Sequence, residues 1–341
     1  DIARIQTLEH GKPYHDESLD DITEANEYFF NADEDVKRMS GSVIPTSERN
    51  KRMFTFRRPV GVWAAITPWN FPVTIPLEYL GPGLATGNAV IAKPPIHTSL
   101  ALLKLAEAFD AAGVPKGLFS IIPGEAEIGE MLVTHDGVDG IGFTGSSATG
   151  KRIISQMGIK RSIMEMSGNG PTIVTEDANI AAAAEAAVYG AYYNAGQVCC
   201  ATERVIVVDS VHDEFVERSL DAASVVKLGD PFDEATNMGP LNNEATAAKM
   251  DRHIADAVDQ GAEVPVAHVG HDHELALGVF SRNRAGAGVK VYVGEKPEGH
   301  LHAHRGVDES VPDGGDVLPG GILISDQDPV GALTLDDAVS Y

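Results

Sequence analysis

Short apolar runs rich in β-forming residues recur along the chain at Val60–Ile66, Ala89–Ala92, Leu118–Ile122, Val138–Phe143, Thr172–Val174 and Val205–Val208. The stretches between them space their apolar residues at helical period. This alternation predicts an α/β architecture with a largely parallel sheet. Helices are expected over Ser99–Ala112, Ala148–Gln156, Ile180–Tyr193 and His212–Val226. The third is rich in alanine, follows the capping candidates Asp177 and Asn179, and stops at Asn194-Ala195-Gly196. From about residue 40 to 58 the pattern is alternating and polar, which predicts a hairpin arm outside the main sheet. There is no internal repeat, and periodicity of either kind fades after about Glu263.

At 341 residues the chain has room for about two domains. No apolar run reaches the roughly 18–20 residues of a membrane-spanning helix, so no membrane association is expected. The opening Asp1-Ile2-Ala3-Arg4 shows no starting Met, basic region or apolar core of a signal peptide, and reads as the middle of a longer protein. Asp and Glu number 50 against 26 Lys and Arg, a formal net charge of -24 that repels phosphate backbones and anionic lipid. Nucleic acid is therefore not an expected partner. The acidic residues are dispersed, which predicts a solvated surface of the salt-adapted kind. Cys199 and Cys200, the only cysteines, cannot form a disulfide framework, and a reducing cytoplasm is expected.

The segment Asn194-Ala195-Gly196-Gln197-Val198-Cys199-Cys200 places a thiol on a glycine-containing loop between a predicted helix and a predicted strand. A thiol on such a turn, near backbone donors, ionises more readily than one in an apolar core, and its thiolate is a strong nucleophile. Taken alone, the loop is a weak signal, because most intracellular cysteines are small buried hydrophobes. Three other segments stand out: Ile66-Thr67-Pro68-Trp69-Asn70-Phe71-Pro72, Phe143-Thr144-Gly145-Ser146-Ser147-Ala148-Thr149-Gly150, and Met164-Glu165-Met166-Ser167-Gly168.

Together with Gly196-Gln197-Val198-Cys199, these segments resemble, in order, four motifs of the aldehyde dehydrogenase superfamily. The resemblance runs from the first residues to about Glu263 and includes Gly229-Asp230-Pro231 and Met238-Gly239-Pro240-Leu241. It implies a Rossmann-like cofactor domain over about 1–166, carrying the hairpin arm, and an α/β catalytic domain over 167–341. It further implies an enzyme that oxidises a small aldehyde to its acid with NAD or NADP, and that forms a homodimer or homotetramer. Cys199 takes the nucleophile's place, Asn70 the oxyanion donor's and Glu165 the general base's. Ile66, Thr67, Pro68, Trp69, Lys93, Gly145, Ser146 and Gly150 fall where the family meets the cofactor.

The chemistry accounts for these residue types. Attack of a thiolate on an aldehyde creates an oxyanion that preorganised donors must meet, and losing one donor commonly costs ~10²–10³ in rate. Loss of hydride leaves a thioester, which a carboxylate can help water to hydrolyse. Glu165 lies in the apolar run Ile163–Met166, where burial is expected, and Cys200 is expected to be a packing neighbour. Gly145 and the helix start near Ser146 offer backbone N–H groups to a pyrophosphate, although a strand-glycine-helix turn is often structural.

The chain departs from the family in two places. Ile96 stands where many NAD-preferring members carry a carboxylate, which leaves NADP open. Val311–Leu318 and Leu333–Val339 resemble flanks of a later family segment, whereas Pro319–Ala332 between them does not, which predicts a fragment or a frame-disturbed member. A catalytically inactive remnant is the alternative reading. A cysteine hydrolase would need a histidine, and none stands near Cys199 in sequence. His268, His271, His273, His300, His302 and His304 lack a helical metal-binding spacing, so no metal is expected.

Overall fold

The computed structural model describes residues 1–259 and, by their backbone, the strands Val266–Val269, His273–Ala276, Val289–Tyr292, Gly294–Glu295 and Gly321–Ser325. The rest of the tail, including His271, His300, His302, His304 and the two family-like flanks, lies outside the described residues. The chain divides into two compact units, one over Asp1–Ser167 with Asp230–Glu234, the other containing Gly168–Gly229 and the described residues from Ala235.

The first unit opens with helices α1 (Ile2–His10) and α2 (Leu19–Arg38). Two minimal strands, β1 (Val43–Ile44) and β2 (Met53–Phe54), pair antiparallel in the expected hairpin. The main sheet then alternates with helices: β3 (Val62–Ile66), α3 (Thr74–Ala85), β4 (Ala89–Lys93), α4 (Leu100–Ala111), β5 (Phe119–Ile121), α5 (Ala126–Thr134), β6 (Gly140–Gly145), α6 (Ser147–Gln156) and β7 (Arg161–Met166). All neighbours pair parallel, in the order β5-β4-β3-β6-β7. The chain steps outward from β3 to β5, then returns to the other side of β3 for β6 and β7. The switch point lies between β3 and β6, and a doubly wound sheet opens its ligand crevice at the carboxyl ends there.

Each face of this sheet has its own core. Ala65 of β3 packs with Val90 and Ala92 of β4 and with Leu77, Leu80, Ala101 and Leu102 of α3 and α4. Ala64 and Ile66 point the other way, into a cluster with Ile141, Phe143, Leu132, Val133 and Ile153. Strand alternation puts successive β3 residues into opposite cores, which is why Val62–Ile66 reads as a continuous apolar run. The helix α3 was hidden in the sequence by Pro72, Pro76 and Pro82. Pro76 falls in its first turn, where the missing N–H is harmless, and Pro82 falls near its end.

The second unit contains β8 (Gly170–Val174), α7 (Ile180–Tyr192), β9 (Thr202–Val207), α8 (His212–Ala223) and α9 (Glu244–Asp259). The five later strands are β10 to β14 in chain order. A four-stranded sheet runs β12-β14-β9-β8, parallel except for the antiparallel β12–β14 pair. Thus Gly321–Ser325, inside the stretch least like the family, forms β14 beside β9. Strands β10, β11 and β13 form a separate antiparallel sheet. The core gathers Val174, Ala184, Val188, Ala191, Val205, Val207 and Phe215. Asn179 caps α7 by accepting from the Ala182 N–H at 3.2 Å, as its position suggested. Among the described residues no helix is long and apolar enough to cross a membrane.

Candidate active site

In the first unit every candidate residue sits at or just beyond the carboxyl end of a parallel strand. Ile66 closes β3, and Thr67-Pro68-Trp69-Asn70 follow it. The Thr67 N–H donates to the Lys93 carbonyl at 3.2 Å, tying that exit to the end of β4. Ile66 and Thr67 are buried, while Pro68, Trp69 and Asn70 are half-buried. Lys93 is no ordinary surface lysine: only 9% of it is exposed, and burial pushes its pKa down against the opposing pull of Glu125. Ile96 lies open on the 3₁₀ turn Ile96–Thr98 just beyond it.

Across the switch point, β6 ends at Gly145 and Ser146 caps α6, its hydroxyl accepting from the Thr149 N–H at 3.3 Å. The first turn of α6 therefore presents N–H groups at the sheet's carboxyl edge. Gly150 is buried, and a Cβ there would fall 2.0 Å from the Met166 sulfur, so β7 packs against the helix only because that side chain is absent.

Glu165 corrects the expectation of burial: it is exposed, as are Arg161, Ser162 and Ile163. The reason is tertiary, since β7 is the edge strand of its sheet and, among the described residues, no strand pairs with it on the side away from β6. Thr144 and Glu165 are register partners on β6 and β7, so their side chains share a face. On that face Tyr79 packs over Gly142, where an added Cβ would come 2.5 Å from the ring, and its hydroxyl lies 2.7 Å from Thr144 Oγ1. Burial, then the carboxylates Glu78 and Glu165, push the Tyr79 phenol up against the Thr144 bond, so it stays protonated at neutral pH. This tyrosine had no signature in the sequence.

In the second unit, α7 runs into Asn194, Ala195 and Gly196, with φ of 53°, 51° and 74°. Three successive left-handed residues, two of them not glycine, cost on the order of 1–2 kcal/mol per non-glycine position. Hydrogen bonds hold the turn: Gln197 Nε2 donates to the Asn194 carbonyl at 2.9 Å, Asn194 Nδ2 to the Gln197 carbonyl at 3.2 Å, and the Asn242 N–H to Gln197 Oε1 at 2.9 Å. The Ala201 N–H then donates to the Val198 carbonyl at 3.2 Å, which puts Cys199 and Cys200 at the two central positions of a tight turn. A Cβ on Gly168 would stand 2.5 Å from the Cys199 carbonyl, so the glycine ending the Met164–Gly168 motif is needed for close approach of the thiol loop. Cys199 is half-buried. Cys200 is exposed, not packed, because the turn directs it outward.

Directly after the turn, β9 buries a carboxylate. Glu203 is 8% exposed, and its Oε1 has no hydrogen-bond partner among the described residues. Burial pushes it up to about 7, against the lowering effect of Arg204.

These features define a class: an α/β protein that joins a doubly wound sheet of the dinucleotide-binding kind to a second unit with a thiol on a strained turn. The chain belongs to the aldehyde dehydrogenase family, which its residues 1–282 match. A succinate-semialdehyde dehydrogenase [NADP(+)] of Escherichia coli is 38% identical over 275 residues, covering 80% of this chain and 57% of that protein. A glutarate-semialdehyde dehydrogenase of Pseudomonas aeruginosa is 39% identical over 267 residues, covering 77% and 55%. Among solved structures, an NADP-dependent enzyme of E. coli superposes with a TM-score of 0.76 at 39% identity, over 80% of this chain and 57% of that one. The betaine aldehyde dehydrogenase of Staphylococcus aureus, in complex with NAD+, gives 0.75 at 32% identity, over 78% and 53%. The chain thus spans about half the length of the curated relatives it matches.

Proposed function

We propose that the protein oxidises an aldehyde to a carboxylic acid with NAD or NADP, through a thioester on Cys199. The observation that carries this reading is the Cys199 turn, a thiol set at the centre of a strained and braced loop, since strain of this kind persists where surrounding contacts hold it for a purpose. The carboxyl ends of β3, β4 and β6 fit a dinucleotide: Lys93 suits the adenosine ribose, the start of α6 suits the pyrophosphate, and Ile66–Trp69 line the β3 exit. Ile96 offers no carboxylate to repel a 2′-phosphate, which supports use of NADP beside NAD.

In this reading the Cys199 thiolate adds to the aldehyde carbon. The Asn70 side-chain amide and the Cys199 N–H donate to the new oxyanion. A nicotinamide held beyond these strand ends would supply the hydride acceptor. Collapse of the oxyanion leaves an acyl thioester on Cys199, Glu165 takes a proton from water, and the resulting hydroxide displaces the thiolate as the acid forms. An exposed Glu165 suits this last step, because its conjugate proton must reach solvent before the next turnover. We further infer that the hairpin over residues 40–58, which turns Val43, Met53, Phe54 and Phe56 outward, is the arm through which copies of the chain associate.

Two relatives are semialdehyde dehydrogenases, which supports an aldehyde bearing a carboxylate at its other end as substrate. The test is absorbance at 340 nm with the full-length protein, NAD or NADP, and succinate semialdehyde against an uncharged aldehyde of equal length. Cofactor reduction that requires aldehyde is expected, with the semialdehyde preferred. Cofactor binding without reduction for any aldehyde would mark a catalytically inactive member of the family and end the proposal.

A further inference from the structure

Both neighbours of Asn70 are held by one short piece of the amino-terminal segment. Helix α1 ends at His10, Gly11 follows with φ 97° and its N–H donating to the Thr7 carbonyl at 2.9 Å, and Lys12 comes next. The left-handed turn at Gly11 sends the two side chains to either side of the β3 exit. The His10 ring stacks on Trp69, with centroids 5.7 Å apart and planes at 29°. Lys12 Nζ stands 3.5 Å from the centre of the Phe71 ring. Both residues are almost fully buried.

Lys12 is anchored from behind. Its ammonium pairs with Asp21, and neither side chain is exposed. Gln6 Nε2 donates to the same Asp21 Oδ2 at 2.7 Å, and the Asp21 carbonyl accepts from Thr74 Oγ1 at 3.0 Å in the first turn of α3. Residues 69, 71 and 74 are thus gripped by residues 10, 12 and 21, with Asn70 between the contacts. Hydrophobic residues of similar volume would serve stability as well as such a buried ion pair or better, because desolvation offsets most of its attraction. What a cation can do here and a methyl group cannot is bind the face of the Phe71 ring in a set direction. Burial lowers the Lys12 pKa, while Asp21 opposes that and favours the charged form. Burial, then Lys12 and His97, hold His10 well below 6.5, so its ring is neutral as it stacks.

We propose that His10 and Lys12 are positioning residues for Asn70, fixing the 69–71 turn so that the amide is already aimed when the oxyanion forms. The proposal rests on the role given to Asn70 above, and the experiment separates the two. In the full-length protein, Asn70→Ala, the apolar pair Lys12→Met with Asp21→Leu, and all three changes together are compared for kcat, KM and thermal midpoint. The apolar pair avoids leaving one charge buried alone. It should keep its cofactor KM, with a thermal midpoint lowered only by the Gln6 amide that loses its acceptor, but lose about tenfold to 10²-fold in kcat, the scale of a small misplacement of a reacting group. In the Asn70→Ala background the same pair should change kcat less than about twofold, because the group it positions is gone.

If Asn70→Ala itself leaves kcat intact, the oxyanion role fails and the grip has nothing to position. If Asn70→Ala is slow but the pair costs the same factor in both backgrounds, or costs nothing in either, the positioning proposal is overturned while the oxyanion role stands. Should the pair fail to fold, His10→Leu carries the same comparison. It is read together with Trp69 emission on a Trp63→Phe background, which loss of the stacked imidazole should shift; unchanged emission, or a kcat loss that persists with Asn70→Ala, overturns the proposal.

Discussion

The two units place their chemical groups by different means. In Asp1–Ser167 the candidate residues stand where a doubly wound sheet ends its strands, and no backbone strain is needed to put them there until Ser167, at φ 27°. Its most deeply buried lysine is paired, since Lys12 donates to an Asp21 carboxylate that also accepts from Gln6 Nε2. In the second unit the thiol depends on left-handed Asn194 and Ala195, and Glu203 is buried with an oxygen that has no partner among the described residues. Strand ends tolerate variation because topology sets them. A strained turn does not, so changes at the thiol loop should be felt more sharply and more locally.

The sharpest break in that comparison would come from the two cysteines. Cys199→Ala should lower turnover by on the order of 10⁴–10⁶, the scale of a lost nucleophile. Cys200→Ala, one position further along the same turn, should keep most of it. Equal losses in steady-state assays would mean that the turn does not single out one thiol.

Glu165→Gln probes the edge of the parallel sheet. Turnover should fall by ~10²–10⁴, as for a lost general base, while a rapid burst of reduced cofactor survives, since attack and hydride transfer precede its step. Stopped-flow traces that lack the burst would give Glu165 a role in activating the thiol instead.

The buried carboxylate of the second unit should show itself in stability against pH. In the folded chain Glu203 releases its proton near pH 7, and in the unfolded chain near 4.5. The unfolded state therefore holds fewer protons between those values, and stability, fully present below pH 4.5, should fall by about 1–3 kcal/mol as pH rises through 7. Glu203→Gln should remove that part of the slope. A wild-type and mutant pair with parallel curves in chemical denaturation would show that the carboxylate is solvated after all.

The smallest effect concerns the backbone itself. Ala195→Gly relieves a left-handed alanine at some entropic cost, so stability should stay level or rise by about 0–1 kcal/mol. Ala186→Gly, on the exposed face of α7, should lose about 1 kcal/mol. If both cost the same in thermal denaturation, residue 195 is not strained in solution.

The alternation of apolar runs determined the sheet by itself, because residues buried on both faces of a parallel strand must be apolar whatever surrounds them. Gly145 and Ser146 were legible for the same reason: a helix leaving a strand needs a cap, and few residue types supply one. Ordered motifs marked Cys199, Asn70 and Glu165 as candidates, since their chemistry demands particular side chains. Other features had no local trace. Two turns of α3 were masked by prolines whose harm depends on position within the helix. The exposure of Glu165 follows from the edge position of β7, which only strand order decides. Lys12 and Asp21 stand in a polar stretch that carries no local sign of burial, and the long-range packing of the 69–74 segment over them made them interior. Composition and periodicity report what a residue needs from its neighbours in the chain, whereas burial, edges and compensating charges depend on neighbours that only the tertiary fold supplies.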